Sequence, residues 1–188
     1  MEKIYQYYKQ TYNISDYDWN IFASKLIKQH FQKKTQILKK GETERYLSFI
    51  EEGIIRFFIP KEEYDLTFGF AFSDSFVSVY DSFLAQSPSS YCAETITNTT
   101  LWRLTHEDLQ TVYAETEIGN LIGRKTAEQL YSIIKQRELS FLNKTAEERY
   151  LDLFETRPEL IKLIPLKYIA SYIGITPQAL SRIRRRIT

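Results

Sequence analysis

Apolar residues recur at three- and four-residue spacing near the start of the chain. Tyr17, Ile21, Phe22, Leu26 and Ile27 carry the pattern and predict helix over residues 1–30, with Ser15-Asp16 placed to cap it. After Lys34 the period changes. Short apolar runs alternate with turn residues: Gln36-Ile37-Leu38, Tyr46–Ile50, Ile54–Ile59, Leu66–Phe72, Tyr91–Thr97 and Thr100–Leu104. Closely spaced strands of this kind predict an antiparallel sandwich or roll. Between the second and third runs, Glu51-Glu52-Gly53-Ile54 reads as a hairpin, because Gly53 tolerates a positive φ.

Helix returns after the last strand. Thr105 is placed to cap a short helix that begins at His106, with Asp108 three residues on. From Ile118 to Asn143 no proline interrupts an apolar pattern of Ile118, Leu121, Ile122, Leu130, Ile133, Ile134 and Phe141. A helix that long outreaches the core of a small domain, so its remaining stripe is expected to pair with a second copy over about residues 118–142. Asn143 ends it, a further helix starts at Thr145, and Pro158 breaks the next stretch. The pattern places one domain at 1–143, with the long helix, and a second at 144–188.

Charge sharpens this division. Residues 1–40 hold eight Lys/Arg against three Asp/Glu, and residues 41–120 hold four against fourteen. Residues 160–188 hold six basic residues and no acidic ones, so cationic charge gathers where an anionic polymer would be met. The abundant aromatics, 14 Tyr and 12 Phe, fit a large β component. No apolar run reaches the roughly 18 residues a membrane span needs, and the N-terminus lacks the apolar stretch of a signal peptide. A cytoplasmic protein without membrane contact is therefore expected. Cys92 is the single cysteine, and His30 and His106 stand far apart. An internal disulfide and a cysteine-held iron–sulfur cluster are excluded, and neither a multi-histidine metal site nor a cofactor is expected.

The basic end has internal order. Ile169, Ala170 and Ile173 form the buried face of one short helix, and Ala170 is small enough for another helix to cross it. Gly174 ends that helix and Ile175 tucks under the turn. Thr176 caps a second helix and Pro177 takes its first position. Leu180 and Ile183 point inward, which leaves Gln178, Ala179, Ser181, Arg182, Arg185 and Arg186 outward. This is a helix-turn-helix, whose second helix enters a major groove. Gln178 suits adenine, Arg182 guanine and Ala179 a thymine methyl, while Arg184, Arg185 and Arg186 suit phosphates. Thr176 and Ser181 complete the candidate DNA-binding set.

Taken with the order of helices, strands, long helix and helix-turn-helix, the segment Ile175–Arg184 resembles the Crp/Fnr family of bacterial transcription regulators, particularly its short Bacteroidetes form. The resemblance covers nearly the whole chain. It implies an α+β protein: an N-terminal antiparallel β-roll of the cyclic-nucleotide-binding kind with flanking helices, a dimerisation helix and a C-terminal winged-helix-type helix-turn-helix. It also implies a homodimer on a palindromic double-stranded DNA site, with RNA polymerase as a further partner. Cyclic-nucleotide binders of this family carry a Gly-Glu pair and then an Arg-Ser/Thr-Ala stretch. Here Ser78-Val79 and Ser89-Ser90-Tyr91 stand there, and no Lys or Arg occurs from Glu62 to Trp102. A cyclic phosphate would lose its charge-assisted partner, so little cAMP affinity is expected. Val79, Ser89, Ser90 and Tyr91 remain a candidate pocket for an unidentified effector. The aromatics Phe68, Phe70, Phe72, Phe76 and Tyr80 are better explained as β core than as a ligand box.

The resemblance implies a sequence-specific DNA-binding transcription regulator, and the departures imply one that does not depend on cAMP. An alternative is a small-molecule-sensing β-roll whose DNA binding requires an effector. An enzyme of the metal-binding roll type needs clustered His and carboxylate ligands, and the chain supplies only His106 near the roll. No enzyme activity is expected.

Overall fold

The computed structural model describes residues 1–187. They form two compact units: Met1–Phe57 with Phe70–Ala127, and Phe58–Gly69 with the residues from Glu128 onward.

In the first unit, helices α1 (Glu2–Tyr12) and α2 (Asp16–Ser24) precede the strands. Ser15 caps α2 as its pattern predicts, its Oγ accepting the Asp18 amide at 3.0 Å. Strands β1 (Ile27–Phe31), β2 (Gln36–Leu38), β3 (Tyr46–Glu52), β4 (Ile54–Ile59), β5 (Leu66–Phe72) and β6 (Ser75–Val77) follow. Helix α3 (Tyr80–Ala85) comes next, then β7 (Cys92–Thr95), β8 (Thr99–Thr105), α4 (His106–Glu115) and the long α5 (Gly119–Asn143), which continues past Ala127 into the second unit. Thr105 caps α4 through the Asp108 amide at 3.0 Å. Two four-stranded sheets result, in the orders β1-β8-β3-β6 and β2-β7-β4-β5.

The strand period of two sorts the side chains of the first sheet between two cores. Leu47, Phe49, Phe76, Trp102 and Leu104 pack with Ile4 and Tyr8 of α1, Phe22 of α2, and Leu109 and Val112 of α4. Ile50, Val77 and Leu101 point the other way and meet Leu38, Ile55, Val79 and Ala93 inside the roll. Each fully buried Phe or Leu contributes ~1.5–3 kcal/mol, so a one-residue slip of β3 or β8 would lose several such terms together.

Two local expectations change. Ile27 reads as helical but lies in β1, which pairs residue by residue with β8 from Ile27–Arg103 to Phe31–Thr99. That ladder outweighs a helical spacing only two residues long. The Gly53 step is no hairpin either, because β3 and β4 belong to different sheets. Here the Gly53 amide donates to Ser73 Oγ (3.1 Å) and the Ile54 amide to Thr97 Oγ1 (3.0 Å). Gly53 has φ +120°, and any Cβ there would overlap the backbone and side chain of Thr99. Glycine is required for this sheet-to-sheet corner, though not for a two-residue turn. β6 and α3, three and six residues long, carry too little periodicity to be read from sequence.

The second unit is held by helices α6 (Ala146–Thr156), α7 (Pro158–Leu163), α8 (Leu166–Tyr172) and α9 (Pro177–Ile187). Thr145 and Glu148 cap α6 reciprocally, and Pro158 opens α7 at its first turn. Its core is Tyr150, Leu153, Leu160, Ile164, Ile169, Ala170, Ile173, Leu180 and Ile183, all buried. The segment Phe58–Gly69 is tied in by Ser171, whose hydroxyl donates to the Asp65 carbonyl (2.9 Å) and accepts the Thr67 amide (2.8 Å). Among the described residues no strand follows α5, so the wing of a winged helix does not appear in this part.

Candidate nucleic-acid interface and effector roll

The turn between α8 and α9 has the construction its sequence predicts. Gly174 sits at φ +80°; its amide donates to the Ser171 carbonyl and the Ile175 amide to the Ala170 carbonyl, both at 3.0 Å. These two bonds form the Schellman termination. Arginines complete it. Arg137 donates to the Tyr172 carbonyl (2.9 Å) and Arg149 Nε to the Ile173 carbonyl (3.0 Å), so the orphan acceptors of α8 meet cationic donors. Both guanidinium groups lie over the Phe141 ring, at 4.8 and 4.5 Å from its centroid. Burial lowers the pKa of Arg137, but a guanidinium stays charged and its bonds to α8 persist.

Thr176 Oγ1 accepts the Ala179 amide at 3.2 Å and so caps α9. Leu180 and Ile183 are buried on the α8 side. Gln178, Ser181, Arg182, Arg184 and Arg185 are exposed, and Ala179 is half-buried among them. Ser181 bonds back to the Pro177 carbonyl at 3.0 Å. Arg186 pairs with Glu147 at 2.6 Å. The exposed face therefore carries short polar side chains at its N-terminal end and guanidinium groups further on.

Of the candidate effector residues in the roll, Val79 and Ser89 are buried. Val79 is fully buried and belongs to the roll core. Ser89 Oγ donates to the Tyr91 carbonyl (2.9 Å) and accepts the Tyr91 amide (3.1 Å), closing a local loop. Ser90 is exposed. The Tyr91 ring meets Phe57 edge-on, and its hydroxyl donates to Asp81 at 2.6 Å. Burial first, and Asp81 second, push that hydroxyl's pKa far above its ordinary value, so Tyr91 remains a neutral donor.

Sequence reasoning overlooked Arg103, one residue beyond the stretch without cations. β8 aims it into the roll beside Ser48, the Nε–Oγ distance being 3.2 Å, and it also donates to Gln29 at 2.8 Å. Glu44 lies 3.7 Å away and Tyr46 stacks 3.9 Å from the guanidinium. Burial raises the Glu44 pKa, while the Tyr46 and Arg45 amides and Arg103 pull it back. The pair borders a cavity of about 420 Å³ lined also by Ile37, Leu38 and Thr43. An alternation count along β8 would have marked position 103 as inward. A second inward-reaching cation, Arg56, is 2% exposed and paired with Glu94 at 3.1 Å.

The histidines hold structural places. His30 Nδ1 lies 2.9 Å from Thr100 Oγ1 and His106 meets Phe83 edge-on. No group of three or more His, Cys, Asp or Glu gathers in metal-binding range among the described residues. No described helix is long and apolar enough to cross a membrane.

A two-sheet roll, a 25-residue helix and a helix-turn-helix follow one another in that order along the chain. Residues 28–116 match the cyclic nucleotide-binding domain family. Several solved structures share the fold over nine-tenths or more of the chain. A CooA mutant from Carboxydothermus hydrogenoformans is 13% identical with TM-score 0.72, over 93% of this chain and 81% of that one. The c-di-GMP responsive global regulator CLP of Xanthomonas campestris is 15% identical with TM-score 0.69, over 90% of each chain. A Crp/Fnr-family structure from Eubacterium rectale is 17% identical with TM-score 0.71, over 93% of this chain and 84% of that one. No curated protein sequence matches the chain.

Proposed function

We propose that the chain is a sequence-specific DNA-binding transcription regulator that acts as a homodimer in the cytoplasm, with no enzymatic activity. One observation carries this reading: α9 is capped by Thr176 and anchored by Leu180 and Ile183, and it turns Gln178, Ser181, Arg182 and Arg185 to solvent. Residues 144–188 serve as the DNA-binding part, and residues 1–143 as the sensory and dimerising part. Gln178, Ala179 and Arg182 read base edges. Thr176, Ser181, Arg184 and Arg185 set the register on phosphates. Arg186 joins them only if it leaves Glu147.

Pairing through α5 is supported by its surface. Leu121, Tyr131, Ile133, Ile134, Leu139 and Leu142 are each 40–73% exposed. Such a run of apolar side chains on one helix fits burial against a second copy. The pair would present two α9 helices to half-sites about one DNA turn, ~34 Å, apart. RNA polymerase is the expected protein partner at a promoter.

cAMP dependence is not part of the reading. Ser89 stands where the phosphate-neutralising arginine would be and spends its hydroxyl on Tyr91, whose ring occupies the roll. The inward cations Arg56 and Arg103 are each held by a glutamate. A cyclic phosphate would have to break one of these buried pairs.

The test is selection of the purified, ligand-free protein on a random duplex pool, followed by salt titration. A palindrome with half-sites one turn apart is expected. Arg182→Ala should relax the preference at one base pair by ~1–3 kcal/mol. Arg185→Ala should weaken all sites alike and reduce the salt slope by about 1. Unchanged preference in Arg182→Ala would overturn the base-reading assignment.

A further inference from the structure

Within the first unit, a cavity of about 50 Å³ lies between the first sheet and the helices that cover it. Its walls are apolar: Phe22, Leu109, Val112, Tyr113 and Ile122 are among them. One charged side chain, Asp18, also lines it. Asp18 is 3% exposed. Its Oδ2 accepts the Ile118 amide at 3.2 Å, whereas its Oδ1 is buried with no hydrogen-bond partner. A carboxylate only accepts, and a buried acceptor left unpaired is destabilising. No Lys or Arg lines the cavity. The Thr116 and Thr126 hydroxyls on its wall donate to the Val112 and Ile122 carbonyls instead.

We propose that this cavity is a binding site for a small organic ammonium, whose N–H groups pair with Asp18 Oδ1 and whose short alkyl body fills the apolar walls. Charge and volume together select this class. A cation answers the carboxylate, which otherwise has one amide and the positive ends of α2 and α5. The space, set against a water's share of ~30 Å³, admits only a few heavy atoms. Water alone would be held poorly, since it needs two to four polar partners and most of the wall is carbon.

The site bears on α5 directly. The Ile118 carbonyl accepts the first helical bond of α5, from Ile122, so Asp18 grips the entry to that helix. Gly119 and Gly123 of α5 border the same space, and a Cβ on Gly123 would strike the Tyr113 ring at 2.8–2.9 Å. An occupant therefore changes the electrostatics of the carboxylate that starts α5. That α5 is the dimer helix rests on the reading above, but the binding itself does not.

The test is calorimetric titration of the full chain with isopropylammonium chloride, with sodium chloride at equal ionic strength and 2-propanol as controls. No DNA is present, so failure here leaves the regulator reading standing, and the reverse. Saturable binding of one cation per chain is expected, about tenfold or more tighter than 2-propanol. Asp18→Asn keeps an oxygen for the Ile118 amide but turns a donor toward the cavity, and should weaken binding about tenfold or more. Equal binding to that variant, no saturable heat, or a high-resolution structure with only a water on Oδ1 in the presence of the cation would overturn the proposal. Should Asp18→Asn fail to fold, Ile122→Phe, which fills the space and leaves Asp18 in place, must abolish binding; retained binding would refute the site.

Discussion

Replacing Gly174 by alanine tests how the helix-turn-helix is held. Two costs add. Alanine at φ +80° is strained by ~1–2 kcal/mol, because the Cβ crowds the following carbonyl. The new Cβ would also lie 2.8 Å from Phe141 Cε1. Phe141 cannot swing away freely, because Arg137 and Arg149 lie over its ring while bonded to the carbonyls of Tyr172 and Ile173. Overpacking of this kind costs a further ~1–3 kcal/mol. The sum, ~2–5 kcal/mol, is a large part of the ~5–15 kcal/mol that stabilises an ordinary domain. Urea unfolding followed by circular dichroism measures it. A Gly174→Ala, Phe141→Ala double-mutant cycle separates the parts, since removing the ring should recover the overlap and leave the φ strain. A single-mutant loss below about 0.5 kcal/mol, or no coupling in the cycle, would refute the argument.

Other outcomes follow from particular contacts. Glu51 is held at a pKa of about 2, first by Lys28 and then by Trp102 Nε1 and the terminal amine. A folded pKa below the unfolded one adds stability above pH ~4.3 that is lost as pH falls toward 2, so Glu51→Gln should flatten the acid limb of the stability curve between those values. Thr145→Ala removes one half of the reciprocal cap on α6 and should cost ~1 kcal/mol in urea unfolding, with no change if the cap is idle. Ile134→Glu on α5, where the native side chain is 57% exposed, should leave the circular dichroism spectrum intact and give monomers by sedimentation; a persistent dimer would place the interface elsewhere.

Several features were legible in the residues alone because they rest on local chemistry. Ser15, Thr105 and Thr176 cap helices where their hydroxyls fall one residue before a helical run. Pro177 and Gly174 stand where a missing amide and a positive φ are wanted. Leu180 and Ile183 face inward because an apolar pair at three-residue spacing shares one helix face. The order of roll, long helix and helix-turn-helix followed from such signals, and with it the class of fold.

What tertiary structure alone decided depends on pairing at a distance. Ile27 entered a strand because β8 offers a ladder 76 residues away, as Ile27–Arg103 shows. Gly53 became a corner between sheets because Thr99, far along the chain, occupies the space its side chain would need. The Glu44–Arg103 pair and the unpartnered Asp18 oxygen came from elements separated by dozens of residues. Caps and turns are written in a few neighbouring residues, whereas the surroundings of a buried charge are set by whichever distant strands and helices fold around it.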